Sequence, residues 1–387
     1  MFDDEPKYKK LFNTLRSDIL SGKYAVDRPL PSFRALMQRQ GLSISTVRHA
    51  FDELEREGLV VRIRGAGTYV SKQAVSRKIG LILPGVAYSD YFLPIVSEIS
   101  RQAQEHGYML IFGTAKSSDP KARAQMAIRF ARKLVKECVA GVIYHPLELF
   151  PGAEKMNQDI VSVFAAAKIP VVLIDSDISF PPVRSAYDVV GINDVEAGYQ
   201  LASHLLERGA RRIHFLMRPY WAVGCHKRMY GAMAAVQCRG DEYVFKKLVA
   251  EPDDLVAIRH SLKDGKPDAF ICGNDESAAK FKQTLEKLGC RVPEDMLLAA
   301  FGDTPVARLT TPPLTVIHHP CEEIGAKVFE TLISRIAHPE SPVGDIFLST
   351  KLVVRESTMC GIRSEQSLPE RKNSLRTIQV QQGVNDD

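Results

Sequence analysis

Hydroxyl and basic side chains are concentrated in one stretch of the sequence, SISTVRHAFDELEREGLVVRIRGAGTYV (residues 43–70). Its apolar residues recur at positions i, i+3, i+4 and i+7, the pattern of a helix that buries one stripe and exposes the rest. The exposed polar residues are therefore candidates for contact with a negatively charged partner: Ser43, Ser45, Thr46, Arg48 and His49 on the helix, and Arg62 and Arg64 after it.

Three helices and a hairpin are predicted to position these side chains. The apolar period of residues 8–19 predicts a first helix, and LPSFRALMQRQG (residues 30–41) predicts a second. Gly58 is expected to end the third helix, and the glycines at 65 and 67 to turn a two-stranded hairpin. This order predicts a winged helix-turn-helix, whose last helix enters the DNA major groove while the hairpin lies along the neighbouring backbone or minor groove.

The distribution of charge supports a nucleic-acid partner. The chain has 387 residues, enough for two or three domains, and a formal net charge of +5. Residues 1–77 contain 14 Lys and Arg against 9 Asp and Glu, so the whole excess lies there and the remainder is balanced. A basic end on a neutral body is typical of proteins that bind nucleic acid. Double-stranded DNA is the predicted partner.

The segment resembles the GntR family of bacterial regulators over residues 6–71. The matching pieces are LPSFRAL (30–36), SISTVRHAFDELEREGLV (43–60) and RIRGAGTYV (62–70). The resemblance implies contacts to phosphates and base edges from Arg34, Ser45, Thr46 and Arg48, and a close approach of the wing to DNA at Gly67. The family usually has arginine where this sequence has Ile44, and isoleucine can pack on thymine but cannot donate to guanine.

Beyond residue 78 the chain alternates apolar, strand-like runs with helical segments. Runs such as IGLILPG, AGVIYHP, IPVVLID, PDAFICGND and MLLAAFGD are separated by segments with helical periods. Continuously apolar strands separated by helices predict parallel sheets covered on both faces, an α/β architecture. The regular alternation of strand-like and helical segments changes near residues 177–188, which indicates two such lobes.

Polar and aromatic residues follow several of these strands. Ligands of open α/β sheets bind beyond the carboxyl ends of the strands, so these residues are candidates for a small-molecule site. Rings with carboxylates and amides suit a sugar or a nucleoside, whose hydroxyls need paired acceptors and whose faces stack on aromatic side chains. The candidates are Tyr88, Asp90, Tyr91, Phe92, Asp175, Trp221, Asn274, Asp275 and Asp303.

Residues 78–357 resemble the effector domain of the LacI/GalR family, which has the periplasmic-binding-protein fold. The match is carried by KRMYGAM (227–233), ICGNDESAAKF (271–281), LAAFGDTP (298–305) and LTTPPLTVIHHPCEEIGAKV (309–328). The resemblance implies an effector surrounded by Asp175, Arg228, Asn274 and Asp275, with the aromatic residues at 88–92 closing one side.

Two positions depart from that family. Gly302 stands where an aspartate is common, and His318-His319 replace a basic residue and a glutamine. The GntR-like segment also replaces the family's own DNA-binding headpiece and hinge helix. This hybrid order resembles the arabinose repressors, which join the same two modules.

Plainer roles are open for several of these residues. Arg228 can form a salt bridge, Asn274 can cap a helix, Asp303 can hold a turn, and Trp221 can pack in a core. His318 and His319 are neighbours on a predicted strand, so their side chains point to opposite faces and no shared metal ion is expected. The seven cysteines form no C-x-x-C pair, which favours reduced thiols in the cytoplasm.

These patterns favour a cytoplasmic repressor, a homodimer on two half-sites, whose operator binding is controlled by a small polar ligand. A sugar is the first choice of ligand, and a related polyol or nucleoside is the alternative. An enzyme with the same DNA-binding domain and an architectural DNA-binding protein are the other classes considered. No phosphate loop, G-x-S-x-G or H-E-x-x-H motif occurs, so no catalytic residue, cofactor, metal or membrane partner is expected.

The predicted domains follow from these boundaries. They are a winged helix-turn-helix at 1–71, a linker at 72–78, a two-lobed effector-binding and dimerisation domain at 79–357, and a disordered tail at 358–387.

Overall fold

The computed structural model describes residues 6–20, 23–72, 78–83, 90–113, 119–148, 151–179, 183–219, 222–263 and 265–359. The N-terminal part contains the helices α1 (Lys7–Leu20), α2 (Phe33–Gln40) and α3 (Ile44–Arg56) and the strands β1 (Val60–Ile63) and β2 (Gly67–Val70). The two strands pair antiparallel. The predicted winged helix-turn-helix is therefore confirmed.

Local signals in the sequence set the ends of these helices. The side chains of Ser32 and Ser43 accept backbone hydrogen bonds at the starts of α2 and α3. Gly58 follows α3 with φ of +72°, a left-handed conformation that glycine adopts without steric strain. The apolar stripes of the three helices meet in a small core around Phe51, which is fully buried.

The first lobe, here the N-lobe, is a parallel sheet with helices on both faces. Its strands lie in the order β13-β7-β6-β5-β3-β4. The elements are β3 (Lys78–Ile82), α4 (Phe92–Glu105), β4 (Met109–Gly113), α5 (Pro120–Lys136), β5 (Gly141–Tyr144), α6 (Ala153–Ala166), β6 (Val171–Ile174), β7 (Asp188–Ile192) and, from late in the chain, β13 (Asp345–Leu348). Lys78 was expected in the linker but begins β3, and residues 73–77 of that linker lie outside the described residues.

The second lobe, here the C-lobe, repeats this architecture with the strand order β14-β12-β11-β10-β8-β9. Only its edge pair β12–β14 is antiparallel in the described part of the chain. The elements are α7 (Asp194–Glu207), β8 (Arg212–Met217), α8 (Val223–Gln237), β9 (Val244–Val249), α9 (Leu255–Lys263), β10 (Ala269–Cys272), α10 (Asp275–Lys287), β11 (Leu297–Gly302), α11 (Pro305–Leu309), β12 (Thr315–His318) and β14 (Lys351–Val353).

The chain crosses between the lobes after β7, after β12 and after β13. Helix α12 (Cys321–Ala337) follows β12 but packs on α4 and the N-lobe sheet. The change in this alternation at 177–188 therefore does not mark the lobe boundary, which lies between Ile192 and Asp194. Strand β7 stays in the N-lobe, where it lies between β6 and β13, and its pairing with β13, more than 150 residues away, is one that local periodicity cannot reveal.

The described chain ends inside the C-lobe. A short 3₁₀ helix (Glu356–Thr358) follows β14, and Thr358 is fully buried. Its hydroxyl lies 2.8 Å from His204 Nε2 and 2.7 Å from Thr315 Oγ1. The predicted tail therefore does not begin at Thr358, and residues 360–387 lie outside the described residues. No helix in the described parts of the chain is long and apolar enough to span a membrane.

Helices α7 and α8 cross with their backbones in contact. A Cβ added to Gly198 would lie 1.9 Å from the carbonyl oxygen of Arg228, and one added to Gly231 would lie 1.9 Å from that of Val195. Only glycine permits this approach, because a methyl group at either position would overlap backbone atoms that cannot rotate away. The crossing fixes the start of the C-lobe against the helix that carries Arg228.

We expect Gly231→Ala to destabilise the chain by about 1–3 kcal/mol or more, because overpacking a rigid contact forces the backbone apart. This loss outweighs the higher helix propensity of alanine, which is worth roughly 1 kcal/mol. Urea unfolding measures the difference. Gly344→Ala is the matched control, because a Cβ there meets nothing within 4 Å. Equal midpoints for the two variants would contradict the close crossing.

Candidate functional site

The N-terminal end of α3 presents a row of hydroxyl groups. Ser43 Oγ lies 2.8 Å from Ser45 Oγ and 2.7 Å from Thr46 Oγ1. Ile44 beside them is 52% exposed, and Arg48 is exposed without an ion-pair partner among the described residues. Backbone N–H groups at a helix N-terminus attract phosphate, and side chains beside them reach base edges. This face therefore has the polarity that reading DNA requires.

The two arginines of the hairpin have different surroundings. Arg62 reaches back to α3, where its guanidinium lies 2.5 Å from Asp52 and 3.4 Å from Glu55. Arg64 is exposed beside the turn and has no ion pair within the described residues. Arg62 thus braces the wing against the helix, whereas Arg64 remains available to a phosphate. Gly67, on the other side of the turn, is exposed with φ of +115°.

The two other predicted DNA contacts, Arg34 and His49, lie in unlike settings. Arg34 is exposed on α2. His49 stacks on Tyr8 of α1, with ring centroids 3.9 Å apart, and its Nε2 lies 3.7 Å from Glu53. The imidazole therefore already has a structural role between α1 and α3, and its contact with DNA stays a prediction.

A cavity of about 340 Å³, here the interlobe cavity, lies between the lobes at the carboxyl ends of the parallel strands. Six of the predicted effector residues line it: Tyr91, Phe92, Asp175, Arg228, Asn274 and Asp275. Further lining residues come from the same strand ends and from α5, among them Arg123, His145, Glu148, Arg218, Glu276, Phe301, Thr304 and His319. The rule that ligands bind beyond the strand ends predicts this location.

On the N-lobe wall, three residues form one polar group. Tyr91 Oη donates a 2.9 Å hydrogen bond to Asp175 Oδ1, and His145 Nε2 lies 3.7 Å from Asp175 Oδ2. Burial alone would raise the pKa of Asp175, but pairing with His145 and the charge of Arg228 lower it below its usual range. Burial lowers the pKa of His145, but the negative charges of Asp175 and Glu148 raise it, so that this pKa lies above its ordinary value. Asp175 is therefore ionised and has its acceptors already engaged.

On the C-lobe wall, Arg228 is a buried structural cation. Its Nε donates to Asp194 Oδ1 at 2.7 Å, its Nη1 donates to the carbonyl of Gly273 at 2.9 Å, and its guanidinium lies 5.0 Å from the Phe301 ring centroid. The salt-bridge alternative is thus confirmed, while the same side chain also lines the cavity. Arg228 lies in the second turn of α8, five residues after the helix begins at Val223.

Asn274 and Asp275 both have backbone partners. Asn274 caps α10 by accepting from Ser277 N–H at 2.9 Å. Asp275 Oδ2 accepts from the N–H groups of Asp303 at 3.0 Å and Thr304 at 2.7 Å. Asp275 therefore holds the loop after β11 in place, so that this loop forms part of the cavity wall.

The other four predicted effector residues are not among the described residues that line the cavity. Asp303 turns away with φ of +93°, and its carboxylate pairs with Arg355 at 2.6 Å. Asp90 is exposed, and it adds to the raised pKa of Glu276, for which burial is the main cause. Tyr88 and Trp221 lie outside the described residues.

The sequence reasoning missed the residues whose polar atoms are left without partners. Buried side-chain atoms that have no hydrogen-bond partner within the described residues include Arg123 Nε, His145 Nδ1, Glu148 Oε1, Thr304 Oγ1 and both ring nitrogens of His319. All of these residues line the interlobe cavity. Buried polar groups are normally paired, so this cluster indicates a site built for a ligand with many donors and acceptors.

His318 and His319 point to opposite sides, as their strand position predicts. His318 Nδ1 lies 3.3 Å from Asp303 Oδ2, whereas His319 is 3% exposed and faces the cavity. Burial lowers the pKa of His319 to about 3, so the ring is neutral and offers one donor and one acceptor. Across the described residues no group of three or more His, Cys, Asp or Glu side chains could hold a metal ion.

Comparison with known proteins gives two domain matches. Residues 7–70 match the bacterial regulatory proteins of the gntR family, and residues 202–358 match a periplasmic binding protein-like domain.

Two relatives align with this chain over nearly their full length. The chain is 30% identical to the arabinose metabolism transcriptional repressor of Geobacillus stearothermophilus over 372 residues, 91% of this chain and 98% of that protein. Identity with the repressor of the same name from Halalkalibacterium halodurans is 28% over 383 residues, 92% and 97% of the two chains. The solved transcriptional regulator CelR–cellobiose complex shares the fold, with a TM-score of 0.61, 21% identity, and 85% of this chain and 100% of that chain covered.

We expect Arg64→Ala to weaken binding to any DNA sequence and to flatten its salt dependence by about one counterion, because a phosphate contact releases a bound cation. Arg62→Ala is the matched variant: it should lose stability of the wing while changing the salt slope less, since Arg62 is paired with Asp52 and Glu55. Fluorescence anisotropy over a salt series measures both. A wild-type slope for Arg64→Ala would place the hairpin tip off the DNA.

We expect Arg228→Ala to lower the free energy of unfolding by about 3–5 kcal/mol, because it leaves the buried Asp194 carboxylate without its cation. Removing both partners should recover part of that loss, so Asp194→Ala with Arg228→Ala forms a double-mutant cycle. Urea unfolding of the four proteins gives the coupling energy. Strict additivity would mean that the two side chains do not act as a pair.

Proposed function

Because the chain belongs to the bacterial transcriptional regulators that join a gntR-family domain to a periplasmic-binding-protein-like domain, we propose that it is a sugar-controlled repressor. The sugar binds in the interlobe cavity, and its binding changes the affinity of the winged helix-turn-helix for operator DNA. The protein acts in the cytoplasm as a homodimer and has no catalytic role in this proposal.

The unpartnered polar atoms of the cavity carry the proposal. They lie on both walls, with His145 and Glu148 on the N-lobe side and Thr304 and His319 on the C-lobe side. A ligand that satisfies both sets must touch both lobes at once. Such a ligand stabilises the closed arrangement over an open one, which is the differential affinity that a conformational switch requires.

A sugar suits this set of groups. Each hydroxyl donates one hydrogen bond and accepts others, so it can pair with a carboxylate and with an imidazole or guanidinium together. The faces of a sugar ring are apolar and pack on aromatic side chains, here Phe92 and Phe301. The names of the relatives point the same way, since arabinose and cellobiose are both sugars.

The DNA-binding half of the proposal rests on the exposed hydroxyls of α3 and the free guanidinium of Arg64. We assign DNA binding to residues 1–71, ligand binding and dimerisation to residues 79–357, and the connection to residues 72–78. Two copies related by two-fold symmetry place two recognition helices on two half-sites. A change in lobe closure alters their spacing and shifts operator affinity by about 1–3 kcal/mol of coupling.

The test is a ligand screen followed by a measurement of operator affinity. Full-length protein is screened by thermal shift against L-arabinose, other pentoses, hexoses, disaccharides and nucleosides, and each hit is then titrated into a complex with operator DNA. A sugar that raises the melting temperature and changes operator affinity supports the proposal. A nucleoside that does so in place of every sugar would replace the sugar as effector, and a flat screen would count against the cavity as an effector site.

We expect Thr304→Val to weaken binding of the best sugar from this screen by about two- to twelvefold, since a hydrogen bond to a buried hydroxyl contributes roughly 0.5–1.5 kcal/mol. The substitution keeps the shape of the side chain, and operator affinity without sugar should stay at the wild-type value. Thr310→Val serves as the control, because Thr310 Oγ1 already bonds to Val306 O at 2.7 Å and does not line the cavity. Equal sugar affinities for the two variants would remove Thr304 from the site.

A further inference from the structure

The side chains that line the interlobe cavity include more carboxylates than free guanidiniums among the described residues. The lining carboxylates are Glu148, Asp175, Asp275 and Glu276, and the lining guanidiniums are Arg123, Arg218 and Arg228. Two of these guanidiniums are already neutralised by carboxylates from outside the lining. Arg228 Nε lies 2.7 Å from Asp194, and Arg218 Nε lies 2.8 Å from Glu251.

The remaining positive charges are too few to balance the carboxylates. Arg123 has no ion pair within the described residues, and His145 is matched by Asp175 at 3.7 Å. Glu148, Asp275 and Glu276 therefore face the cavity with Arg123 as the single uncommitted cation among the described lining residues. Asp275 is partly compensated by the backbone N–H groups that it accepts, whereas Glu148 has no such set.

Glu148 is a carboxylate that has neither a salt bridge nor a backbone N–H donor among the described residues. Its Oε1 is buried and lacks a hydrogen-bond partner among the described residues. No lysine, arginine or histidine of the described chain lies within ion-pair distance of it. Burial is the main cause of its raised pKa and the charge of Asp175 adds to the rise, whereas the charges of His145 and Arg228 act in the opposite direction. A second negative charge brought beside this carboxylate would be repelled by it and by Asp175.

The position of Glu148 is fixed by the residue before it. Asn157 of α6 clamps the backbone of Leu147, accepting from its N–H at 2.8 Å and donating to its carbonyl at 3.0 Å. Asn157 itself is 3% exposed and also receives a hydrogen bond from Tyr144. The backbone that leads into Glu148 is therefore anchored to α6.

We propose that Glu148 determines the charge selectivity of the interlobe cavity, which accepts uncharged sugars and rejects their anionic derivatives. The rejected compounds are phosphorylated sugars and sugar acids. The inference rests on the proposed function, in which a sugar occupies this cavity. A neutral hydroxyl donates to Glu148 Oε1, whereas a phosphate or carboxylate at the same place offers no proton and repels the glutamate.

Binding to matched ligand pairs tests the inference. L-Arabinose is compared with L-arabinonate, and D-ribose with D-ribose 5-phosphate, by isothermal titration calorimetry on the full-length protein at neutral pH. The wild type should prefer the neutral member of at least one pair by about tenfold or more, because like charges brought together in an enclosed site are strongly disfavoured. Glu148→Gln keeps the size of the side chain and removes its charge, so it should reduce that preference by about tenfold.

Glu154→Gln is the matched control, because Glu154 undergoes the same change six residues further on at an exposed position of α6. It should keep the wild-type preference. Glu148→Ala provides a second variant without the charge, and urea unfolding checks that each variant is folded.

The outcomes separate this inference from the proposed function. A wild type that binds the anionic member as tightly as the neutral one, or a Glu148→Gln preference equal to that of Glu154→Gln, would overturn the role of Glu148 even where sugars control operator binding. A selective cavity whose occupancy leaves operator affinity unchanged would overturn the proposed function alone. If none of the four probes binds the wild type or either Glu148 variant, the role of Glu148 fails, while the proposed function is decided by the wider screen.

Discussion

The guanidinium of Arg228 joins the segments that make the interlobe cavity possible. It pairs with Asp194 directly after the first lobe crossing and donates to Gly273 at the end of β10. The pair is buried, so either charge without the other would be strongly destabilising. The contact of α7 with α8 through Gly198 and Gly231 brings the partners together. The packing of α7 on α8 thus positions the guanidinium of Arg228, and the hydrogen bonds of that guanidinium fix one wall of the cavity.

Much of the fold could be predicted from the sequence because its signals are local. The serine caps, the left-handed Gly58 and the apolar period of α3 lie within a few residues of the structure that they determine. The strand-end rule likewise found Tyr91, Asp175 and Asn274, since a parallel strand followed by a polar residue is visible in a short window. The same rule would have found His145, which follows β5 directly.

Other features depend on partners that are distant in the sequence. The outer partner of β7 is β13, which lies far along the chain, and the outward turn of Asp303 is decided by its pairing with Arg355. Which polar atoms are left unpaired is also a property of the packed molecule, so Glu148 gave no signal of its own, whereas His319 follows β12 directly and the strand-end rule would have found it. The balance of charge in the cavity depends on Asp194 and Glu251, which pair with Arg228 and Arg218. Both pairs join residues more than 30 positions apart, so the sequence did not reveal them.

The three lobe crossings also have a consequence for synthesis on the ribosome. Neither sheet is complete until the residues of β13 and β14 have been added, because each contributes an edge strand to a different lobe. The winged helix-turn-helix needs only the first 72 residues and has its own core. As the N-terminal unit, it can fold while the rest of the chain is still being translated. The winged helix-turn-helix is therefore able to fold before either sheet of the following domain is complete.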